Sequence, residues 1–328
     1  MSIQILGIGS YVPEKILTNC DLEKMVDTSD EWIKTRTGIE QRRIASAEQA
    51  TSDLAYEAAK KALKNANIKA EELDVVIVAS ITVDQVFPST ACILQEKLGA
   101  KNAFCFDLEA ACSGLLYSLE VANSLLIGNS KYKKILVIGA EKLSSIVDWE
   151  DRNTCILFGD GAGAVVLGKC EDAAENCIIA SDLGADGQYT DILQIPAGGS
   201  RMPASAETVA NKQHYLTMAG SDVFKLAVNA MVGSCKKVMK EAGITADDVR
   251  WLVPHQANYR ILRAVATRLK IPEDEVYMNV NRFGNTSAAS IGLCLDEIAD
   301  GNLAEKGDYI LLTAFGGGLT WGAMLLKW

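Results

Sequence analysis

The chain has 328 residues, of which 49% are hydrophobic and 23% charged, which is typical of a folded enzyme rather than a disordered chain. The formal net charge of −10 argues against a nucleic-acid-binding surface, so an acidic partner would need a local basic patch. The nine cysteines are odd in number, scattered and without CxxC pairs, which argues against a zinc site or a disulfide framework.

Neither a targeting signal nor a membrane span is predicted from the sequence. No basic region precedes the first apolar stretch, so no signal peptide is predicted and the expected compartment is the cytoplasm. The apolar run 114–128 is interrupted by Glu120, and the run 309–328 by Gly316–Gly318. We therefore interpret neither run as a membrane span.

Strands and helices alternate along the chain. The first strand is predicted at 3–8, and Thr28-Ser29-Asp30 supplies N-cap residues for a helix at 31–36. An amphipathic helix is predicted at 52–65. Further strands are predicted at 73–80, 105–107, 134–139 and 164–168. This alternation indicates a mixed sheet covered by helices.

A long repeat divides the chain. Residues 60–73 align without gaps on residues 236–249, and the strands that follow also match. A repeat of this length predicts two packed copies of one α/β unit rather than a solenoid. We expect a first half at 1–168 that carries the nucleophile, a connector with a surface loop at 169–215, and a second half at 216–328.

Cys112 is the first candidate for chemistry. A strand-like run ends near Asp107, and apolar residues at helical spacing begin at Leu115, so Cys112 is predicted in the first turn of a buried helix. Free N–H groups and the positive end of the dipole should lower the pKa of a thiol there and make it a nucleophile. The alternative, one more core cysteine, is not excluded by this stretch alone.

The chain has only two histidines. His255 ends the apolar strand 251–254, a position where α/β proteins carry reactive groups, although a satisfied core histidine would fit the same pattern. Ala79 occupies the matching position of the first copy, so the fold itself requires no histidine there. His214 lies in the polar connector and is expected to be solvated.

The stretch Gly284-Asn285-Thr286-Ser287-Ala288-Ala289-Ser290 mirrors the approach to Cys112. Asn285 would offer amide donors there, although a cap or turn is the commoner use of asparagine. The repeat predicts that Cys112, His255 and Asn285 meet near the pseudo-twofold axis.

Two glycine-rich stretches, at 159–163 and 316–318, are each followed by a predicted strand. A nucleotide-binding loop would be followed by a helix, so these glycines are expected to allow close backbone approaches instead. Gly316–Gly318 could also aim an N–H at an oxyanion.

Six motifs together resemble β-ketoacyl-[acyl-carrier-protein] synthase III over nearly the whole chain. They are Asp30–Ile39, Ala111–Gly114, Phe158–Gly163, Trp251–Asn258, Gly284–Ser290 and Phe315–Gly318. The resemblance implies a thiolase-like fold, a duplicated α/β unit in a five-layer αβαβα arrangement. It also implies a homodimer that initiates fatty-acid synthesis as an acyltransferase.

The resemblance implies roles for the three candidates. Cys112 takes an acyl group from acyl-CoA, and malonyl-acyl-carrier protein then binds. His255 and Asn285 stabilise the enolate formed as CO2 leaves, and this carbanion attacks the thioester. The backbone N–H groups of Cys112 and Gly317 would hold the oxyanion.

The resemblance also implies the remaining contacts. No cofactor or metal is expected besides the substrates acyl-CoA and malonyl-acyl-carrier protein, and no nucleic acid or membrane partner. CoA and its pantetheine arm are expected at Thr28, Trp32, Arg36, Arg152, Met218, Gly220, Ala257, Asn258 and Phe315. Phe87 resembles a residue that reaches the partner subunit's acyl pocket. Carrier-protein docking is expected at Lys225, Gln256, Arg260 and Arg263.

Other functions are weighed against this one. An enzyme of the same fold could start a quinolone or polyketide instead. Cys, His and Asn also make up the papain-type hydrolase set, although the context of Cys112 lacks the Cys-Trp signature of that family. A non-catalytic subunit is disfavoured because all three reactive positions are filled. The acyl primer is not determined by the sequence.

Overall fold

The computed structural model describes residues 2–170 and 176–328, in which strands and helices alternate as predicted. The strands are β1 (Ser2–Tyr11), β2 (Lys15–Thr18), β3 (Gln41–Ile44), β4 (Val75–Ala79), β5 (Phe104–Leu108), β6 (Lys134–Glu141), β7 (Gly161–Cys170), β8 (Cys177–Ala185), β9 (Leu193–Gln194), β10 (Thr217–Met218), β11 (Val249–Pro254), β12 (Tyr309–Gly316) and β13 (Thr320–Lys327). The helices are α1 (Asn19–Leu22), α2 (Asp30–Thr37), α3 (Thr51–Ala66), α4 (Thr90–Leu98), α5 (Gly114–Gly128), α6 (Arg152–Cys155), α7 (Ala206–Ala210), α8 (Gly220–Ala242), α9 (Tyr259–Leu269), α10 (Val280–Phe283) and α11 (Ser290–Asp300).

The central sheet displays the repeat. Its strand order is β11-β12-β13-β8-β1-β7-β6-β4-β5. Strands β1, β7, β6, β4 and β5 form one side of the sheet, and strands β8, β13, β12 and β11 form the other. The two central strands, β1 and β8, meet at Gln4 and Cys177, and the Ile5 N–H beside this pair donates to the Asn176 carbonyl at 2.6 Å. In each half the inner strands run antiparallel and the outer pairs, β4 with β6 and β11 with β12, run parallel.

Side-chain alternation along the strands creates five layers. In β6, Ile135 and Val137 face a core shared with α5 and α11, whereas Leu136 and Ile138 face a core shared with α3 and α4. The strands of the second half likewise divide their side chains between the α5/α11 core and a core under α8 and α9. Because each sheet face is covered by helices, the result is the duplicated αβαβα arrangement that the resemblance implied, and this prediction is confirmed.

The segment 169–215 is more than a connector. Residues 171–175 lie outside the described part of the chain, but β8 follows them and pairs with β13 from Cys177 to Ala185. The stretch around 198–207 is largely exposed, as a surface loop would be. The division at 215/216 remains a prediction, and we propose that the second half begins with β8 instead.

Helix α5, with the short turn before it, is long and apolar enough to cross a membrane by length and composition alone. In this fold it lies in the middle layer, where Leu115, Leu116 and Leu119 are buried against both halves of the sheet. A buried core helix passes the same composition test as a membrane span.

Close packing at the axis depends on glycine. A Cβ atom on Gly163 of β7 would lie 2.5 Å from the Cα atom of Gly292 on α11, which is closer than two non-bonded carbon atoms can approach. The prediction that the glycine-rich stretch 159–163 serves close backbone approach is therefore confirmed.

A fourth apolar cluster covers the end of the central sheet where β5, β6, β11 and β12 finish. It joins α1 and α2 to the segment 143–158 and includes Leu143, Phe158 and Leu216. Helix α2 begins at its predicted cap, where the Ser29 side chain accepts a hydrogen bond from the Trp32 N–H. This cluster supplies apolar walls for the cavity beneath it.

Candidate active site

A cavity of about 500 Å³ opens where the two halves meet, and it brings the three candidate residues together. Cys112, His255 and Asn285 all line it, although they are far apart along the chain. Most other lining side chains are apolar and include Ile81, Leu143, Leu157, Phe158, Leu193, Leu216, Val223, Phe224 and Ile261. An apolar cavity with a few convergent polar groups is a common form of active site.

Cys112 occupies a sharp turn between β5 and α5. Ala111 takes a left-handed backbone conformation with φ of 46°, and a short 3-10 turn from Ala111 to Ser113 leads into the helix. A Cβ atom on Gly316 would lie 2.6 Å from the Cys112 backbone nitrogen, so only glycine lets the end of β12 pass this turn. Cys112 is also the one cysteine among the residues that line the cavity.

The prediction of a lowered thiol pKa is wrong for the empty cavity. Burial, with a smaller contribution from the nearby Glu141 carboxylate, raises the pKa of Cys112 to about 12. A hydrogen bond with the Ser287 hydroxyl and the residue's own N–H lower the pKa, but by less. Loss of water around the thiolate therefore outweighs these two hydrogen bonds. What distinguishes Cys112 from the other buried cysteines is its position, not its resting pKa.

His255 follows β11 and is 2% exposed. Its backbone N–H donates to the Thr313 carbonyl at 2.7 Å, and its Nδ1 atom lies 2.7 Å from the Ser290 hydroxyl oxygen. Burial lowers the pKa of His255 to about 3, so the imidazole is neutral at ordinary pH. With Nδ1 held by Ser290, Nε2 is the ring nitrogen left for the cavity, and a Ser290 hydroxyl that donates to Nδ1 places the proton on Nε2.

Asn285 is held in the cavity wall by its backbone and by its side-chain oxygen. Its N–H donates to the Leu157 carbonyl at 2.8 Å, and its own carbonyl accepts from the Gly159 N–H at 3.0 Å. The Oδ1 atom accepts the Ser287 backbone N–H at 2.9 Å. Because the side-chain oxygen is occupied, the amide NH2 is the group left to serve as a donor.

Gly317 and the predicted pantetheine residues also line the cavity. They are Met218, Gly220, Ala257, Asn258 and Phe315. Asn258 additionally caps α9, because its side chain accepts the Arg260 N–H at 2.8 Å. These residues extend the cavity from Cys112 toward the N-terminal ends of α8 and α9.

The predicted CoA residues outside the cavity form a cluster of their own. The guanidinium carbons of Arg36 and Arg152 lie 5.4 Å and 4.9 Å from the centre of the Trp32 ring. Arg152 also donates to the Asp27 carbonyl at 2.9 Å. The Thr28 hydroxyl oxygen is buried and has no hydrogen-bond partner among the described residues. Trp32 packs on the apolar cluster that walls the cavity.

The residues predicted to dock the carrier protein divide into two groups. Lys225, Arg260 and Arg263 are exposed, and Arg263 lies 3.5 Å from the Glu273 carboxylate. Gln256 is fully buried, so its prediction as a docking residue is wrong. Its amide nitrogen donates to the Pro254 carbonyl at 2.8 Å and its oxygen accepts the Asn279 N–H at 2.9 Å, which makes it a structural link behind the site.

Phe87 and His214 are the remaining residues whose surroundings were predicted from the sequence. Phe87 lies outside the cavity and is 87% exposed in the single chain. His214, expected to be solvated, is half-buried instead. Its Nε2 atom lies 2.9 Å from the Thr208 hydroxyl, which ties the exposed loop to α7.

Glu141 was missed by sequence reasoning. It ends β6, is fully buried, and accepts a hydrogen bond at 3.1 Å from Ser287, a cavity residue. Burial raises its pKa to about 7. The available signal was a single acidic residue directly after the apolar run Ile135–Ala140, because buried carboxylates are rare without a function or a partner.

Comparison with known proteins agrees with this geometry. A family model described as "3-Oxoacyl-[acyl-carrier-protein (ACP)] synthase III" matches residues 106–187, and its C-terminal counterpart matches residues 239–328. The chain is 56% identical to the β-ketoacyl-[acyl-carrier-protein] synthase III of Caldanaerobacter subterraneus over 99% of this chain and 97% of that protein.

Solved structures give the same result. The 3-oxoacyl-[acyl-carrier-protein] synthase III of Aquifex aeolicus is 48% identical, with a TM-score of 0.91 over 99% of this chain and 100% of that one. The priming β-ketosynthase of the R1128 polyketide pathway is 32% identical, with a TM-score of 0.90 over 99% of this chain and 96% of that one. By sequence identity over its full length and by fold, the chain belongs to the β-ketoacyl-[acyl-carrier-protein] synthase III family of condensing acyltransferases.

Proposed function

We propose that this chain catalyses the decarboxylative Claisen condensation of an acyl-CoA primer with malonyl-acyl-carrier protein, the step that initiates a fatty-acid chain. The observation that carries the proposal is the meeting of Cys112, His255 and Asn285 in one apolar cavity at the junction of the two halves. His255 and Asn285 are each also oriented by a neighbouring residue that leaves one side-chain nitrogen free to donate.

In the first half-reaction, Cys112 attacks the acyl-CoA thioester. The Cys112 N–H lies at the start of a helix, where backbone donors lack partners within the helix. The Gly317 N–H follows β12, which ends beside the Cys112 turn. Two donors that converge from both halves would stabilise the developing oxyanion. CoA then leaves and Cys112 keeps the acyl group.

In the second half-reaction, malonyl-acyl-carrier protein loses CO2 and forms an enolate. His255 Nε2 and the Asn285 amide can each donate to the enolate oxygen. The low pKa of His255 matters here, because a neutral imidazole stabilises the enolate without readily protonating the carbanion. The carbanion then attacks the acyl-Cys112 thioester. Neither half-reaction requires a cofactor, because the cysteine carries the acyl group and decarboxylation generates the nucleophile.

The deciding experiment incubates the enzyme with an acyl-CoA and malonyl-acyl-carrier protein and measures CO2, the β-ketoacyl product and free acid. We expect CO2 and β-ketoacyl product in equal amounts, with an acyl adduct on the Cys112 peptide by mass spectrometry. Cys235→Ala is the matched control, since Cys235 is buried away from the cavity. Free acid without CO2 release would instead identify a Cys-His-Asn hydrolase.

The acyl primer is tested in the same assay. Identity to a fatty-acid synthase relative exceeds identity to the polyketide-priming enzyme, 56% against 32%, which favours primary metabolism. A panel of straight, branched and aromatic acyl-CoA primers would decide. Preference for aromatic or unusual primers would support the alternative, initiation of a polyketide or quinolone.

The Trp32 cluster is proposed to bind the nucleotide end of CoA. An adenine ring can stack on the indole, and the two guanidinium groups carry charge suited to phosphates. The unpartnered Thr28 hydroxyl offers a further hydrogen bond. These groups lie on the cluster that walls the cavity, so the pantetheine arm would lead from them toward Cys112.

Lys225 and Arg260 are proposed to dock the acidic carrier protein. Each is exposed and neighbours residues that line the cavity, Phe224 and Asn258. We expect Arg260→Glu to raise the KM for malonyl-acyl-carrier protein and to spare acylation by acyl-CoA, because charge complementarity governs encounter. Arg268→Glu, on the same helix but away from the cavity mouth, is the control. Equal loss in both half-reactions would contradict the docking role.

A cytoplasmic homodimer is proposed as the working form. Strand β5 is an edge of the central sheet, and it bears the 42% exposed Phe104. The neighbouring Val86 and Phe87 are 94% and 87% exposed. An uncovered edge strand with apolar residues favours pairing with a second copy. Light scattering after gel filtration should give twice the chain mass, and a monomer would contradict the proposal.

A further inference from the structure

Glu141 is a buried carboxyl group that the mechanism above does not use. Its oxygens accept hydrogen bonds from the Thr82 hydroxyl at 2.5 Å and the Ser287 hydroxyl at 3.1 Å. Glu141 also accepts hydrogen bonds from the Ser80 hydroxyl at 3.2 Å and from the backbone N–H groups of Ile81 and Thr82. All of these groups donate, so the pocket is arranged to hold an ionised carboxylate despite its burial.

Ser287 links this carboxylate to the nucleophile. Its hydroxyl donates to Glu141 at 3.1 Å, and the oxygen of the same hydroxyl is a hydrogen-bond partner to which the Cys112 thiol can donate its S–H. Ser287 and Cys112 both line the cavity. The Ser287 backbone N–H separately holds Asn285 Oδ1, so the hydroxyl is free to exchange its partners without moving the enolate-binding amide.

The surroundings of Glu141 contain little competing charge. The hydroxyls of Ser80, Thr82 and Ser287 are neutral, and the Cys112 thiol is the titratable group that faces it across Ser287. Lys142, the next residue, directs its ammonium group to the carbonyls of Ser46 and Gln49 at 2.9 Å and 2.5 Å. No ion pair therefore neutralises Glu141 among the described residues.

We propose that Ser287 and Glu141 form a proton relay that activates Cys112 for acyl transfer. The inference rests on the proposed function. As the Cys112 sulfur bonds to the thioester carbon, its proton moves to Ser287 Oγ, and the Ser287 hydroxyl proton moves to Glu141. When the bond from that carbon to the CoA sulfur breaks, both transfers reverse and the CoA thiolate is protonated. The relay is therefore reset after each acylation.

The electrostatics of the site agree with this role. Burial raises the pKa of the Cys112 thiol and so disfavours the thiolate, and a proton acceptor next to the sulfur would assist its attack. The pKa of Glu141 is raised to about 7, near the value at which a general base works best in neutral solution. Proton transfer to Glu141 also removes the negative charge that opposes a thiolate at Cys112.

The test compares two reactions of the same thiol in Glu141→Gln, which keeps the shape of the side chain but removes its charge. Acyl transfer from acetyl-CoA should slow by about 10²-fold and lose its rise with pH around pH 7. Alkylation of Cys112 by iodoacetamide should slow as well, because it also requires loss of the thiol proton. Above about pH 9, where hydroxide can take that proton, both rates should recover toward those of the parent enzyme, which a general loss of structure would not allow. Unchanged acyl transfer, or a loss that is the same at every pH, would overturn the relay.

Ser287→Ala provides an independent variant. Alanine should fit, because Ala111 adopts φ of 46° at the matching turn and Ser287 adopts 48°. Acyl transfer and alkylation should both slow as in Glu141→Gln, because Ser287 is the first acceptor of the thiol proton. Ser113→Ala is the control, since this buried hydroxyl next to Cys112 donates to the Thr320 carbonyl and should leave both rates near those of the parent. An unmodified Cys112 in the parent enzyme would reject the proposed function, whereas normal acyl transfer in Ser287→Ala would reject only the relay.

Discussion

The turns that precede the two central helices have the same backbone but opposite chemical roles. Ala111 to Ser113 leads into α5 and Ser287 to Ala289 leads into α11, each as a short 3-10 turn that begins with a left-handed residue. The first turn carries Cys112, whereas Ala288 stands at the matching position of the second. Duplication thus supplied two equivalent turns, of which the first carries the cysteine and the second carries alanine at the same position.

The strand ends opposite these turns differ in a complementary way. Strand β12 ends at Gly316 beside the Cys112 turn, where a Cβ atom would meet the Cys112 nitrogen at 2.6 Å. Strand β6 ends at Glu141 beside the Ser287 turn. One strand end therefore has no side chain beside its turn, and the other places a carboxylate at the matching position. The two halves of the site therefore differ in the residues at these strand ends and turns, whereas their backbone fold is the same.

The largest effect is expected from moving the nucleophile across the axis. Cys112→Ala should abolish condensation, because no other cysteine lines the cavity among the described residues. Adding Ala288→Cys should not restore it, since Glu141 rather than a glycine faces that turn and no matching oxyanion site exists. Acyl adducts located by peptide mass spectrometry test this prediction. An adduct on the new cysteine, with product formed, would mean that the two turns are interchangeable.

A smaller effect should separate the half-reactions. Asn285→Ala and His255→Ala each remove one enolate donor, so decarboxylation of malonyl-acyl-carrier protein should slow by about 10²–10³-fold. Acylation of Cys112 by acyl-CoA should fall much less, because its oxyanion is held by backbone groups. Rapid-quench measurement of each half-reaction tests this. Equal losses in both half-reactions would contradict the assignment of His255 and Asn285 to the decarboxylation step.

The smallest effect concerns packing at the Cys112 turn. Gly316→Ala should destabilise the protein by about 1–3 kcal/mol, since the new methyl group overlaps the Cys112 backbone. Acylation should slow as the turn shifts. Gly187→Ala is the control, because nothing lies within 4 Å of a Cβ atom there. Urea unfolding curves for both variants test the prediction, and equal stability would mean that the turn can move without cost.

Several features were predictable from the sequence because local patterns encode them. Apolar periodicity gave the main strands and helices, and the aligned segments at 60–73 and 236–249 gave the duplication. The same repeat placed Cys112, His255 and Asn285 at equivalent element ends, which predicted their meeting in one cavity. Strand β8 was not predicted, because it lies within a segment whose glycines and polar residues suggested only a connector.

The tertiary structure decided what depends on neighbours from distant parts of the chain. Gln256 precedes the exposed Arg260 by about one helical turn, yet it is buried and forms hydrogen bonds with Pro254 and Asn279. The pKa of Cys112 follows from burial and from Glu141 rather than from its helix alone, because loss of water and nearby charge act through space. A linear sequence can specify which residues reach the axis. It does not specify how much water they lose there, and that loss determines their chemistry.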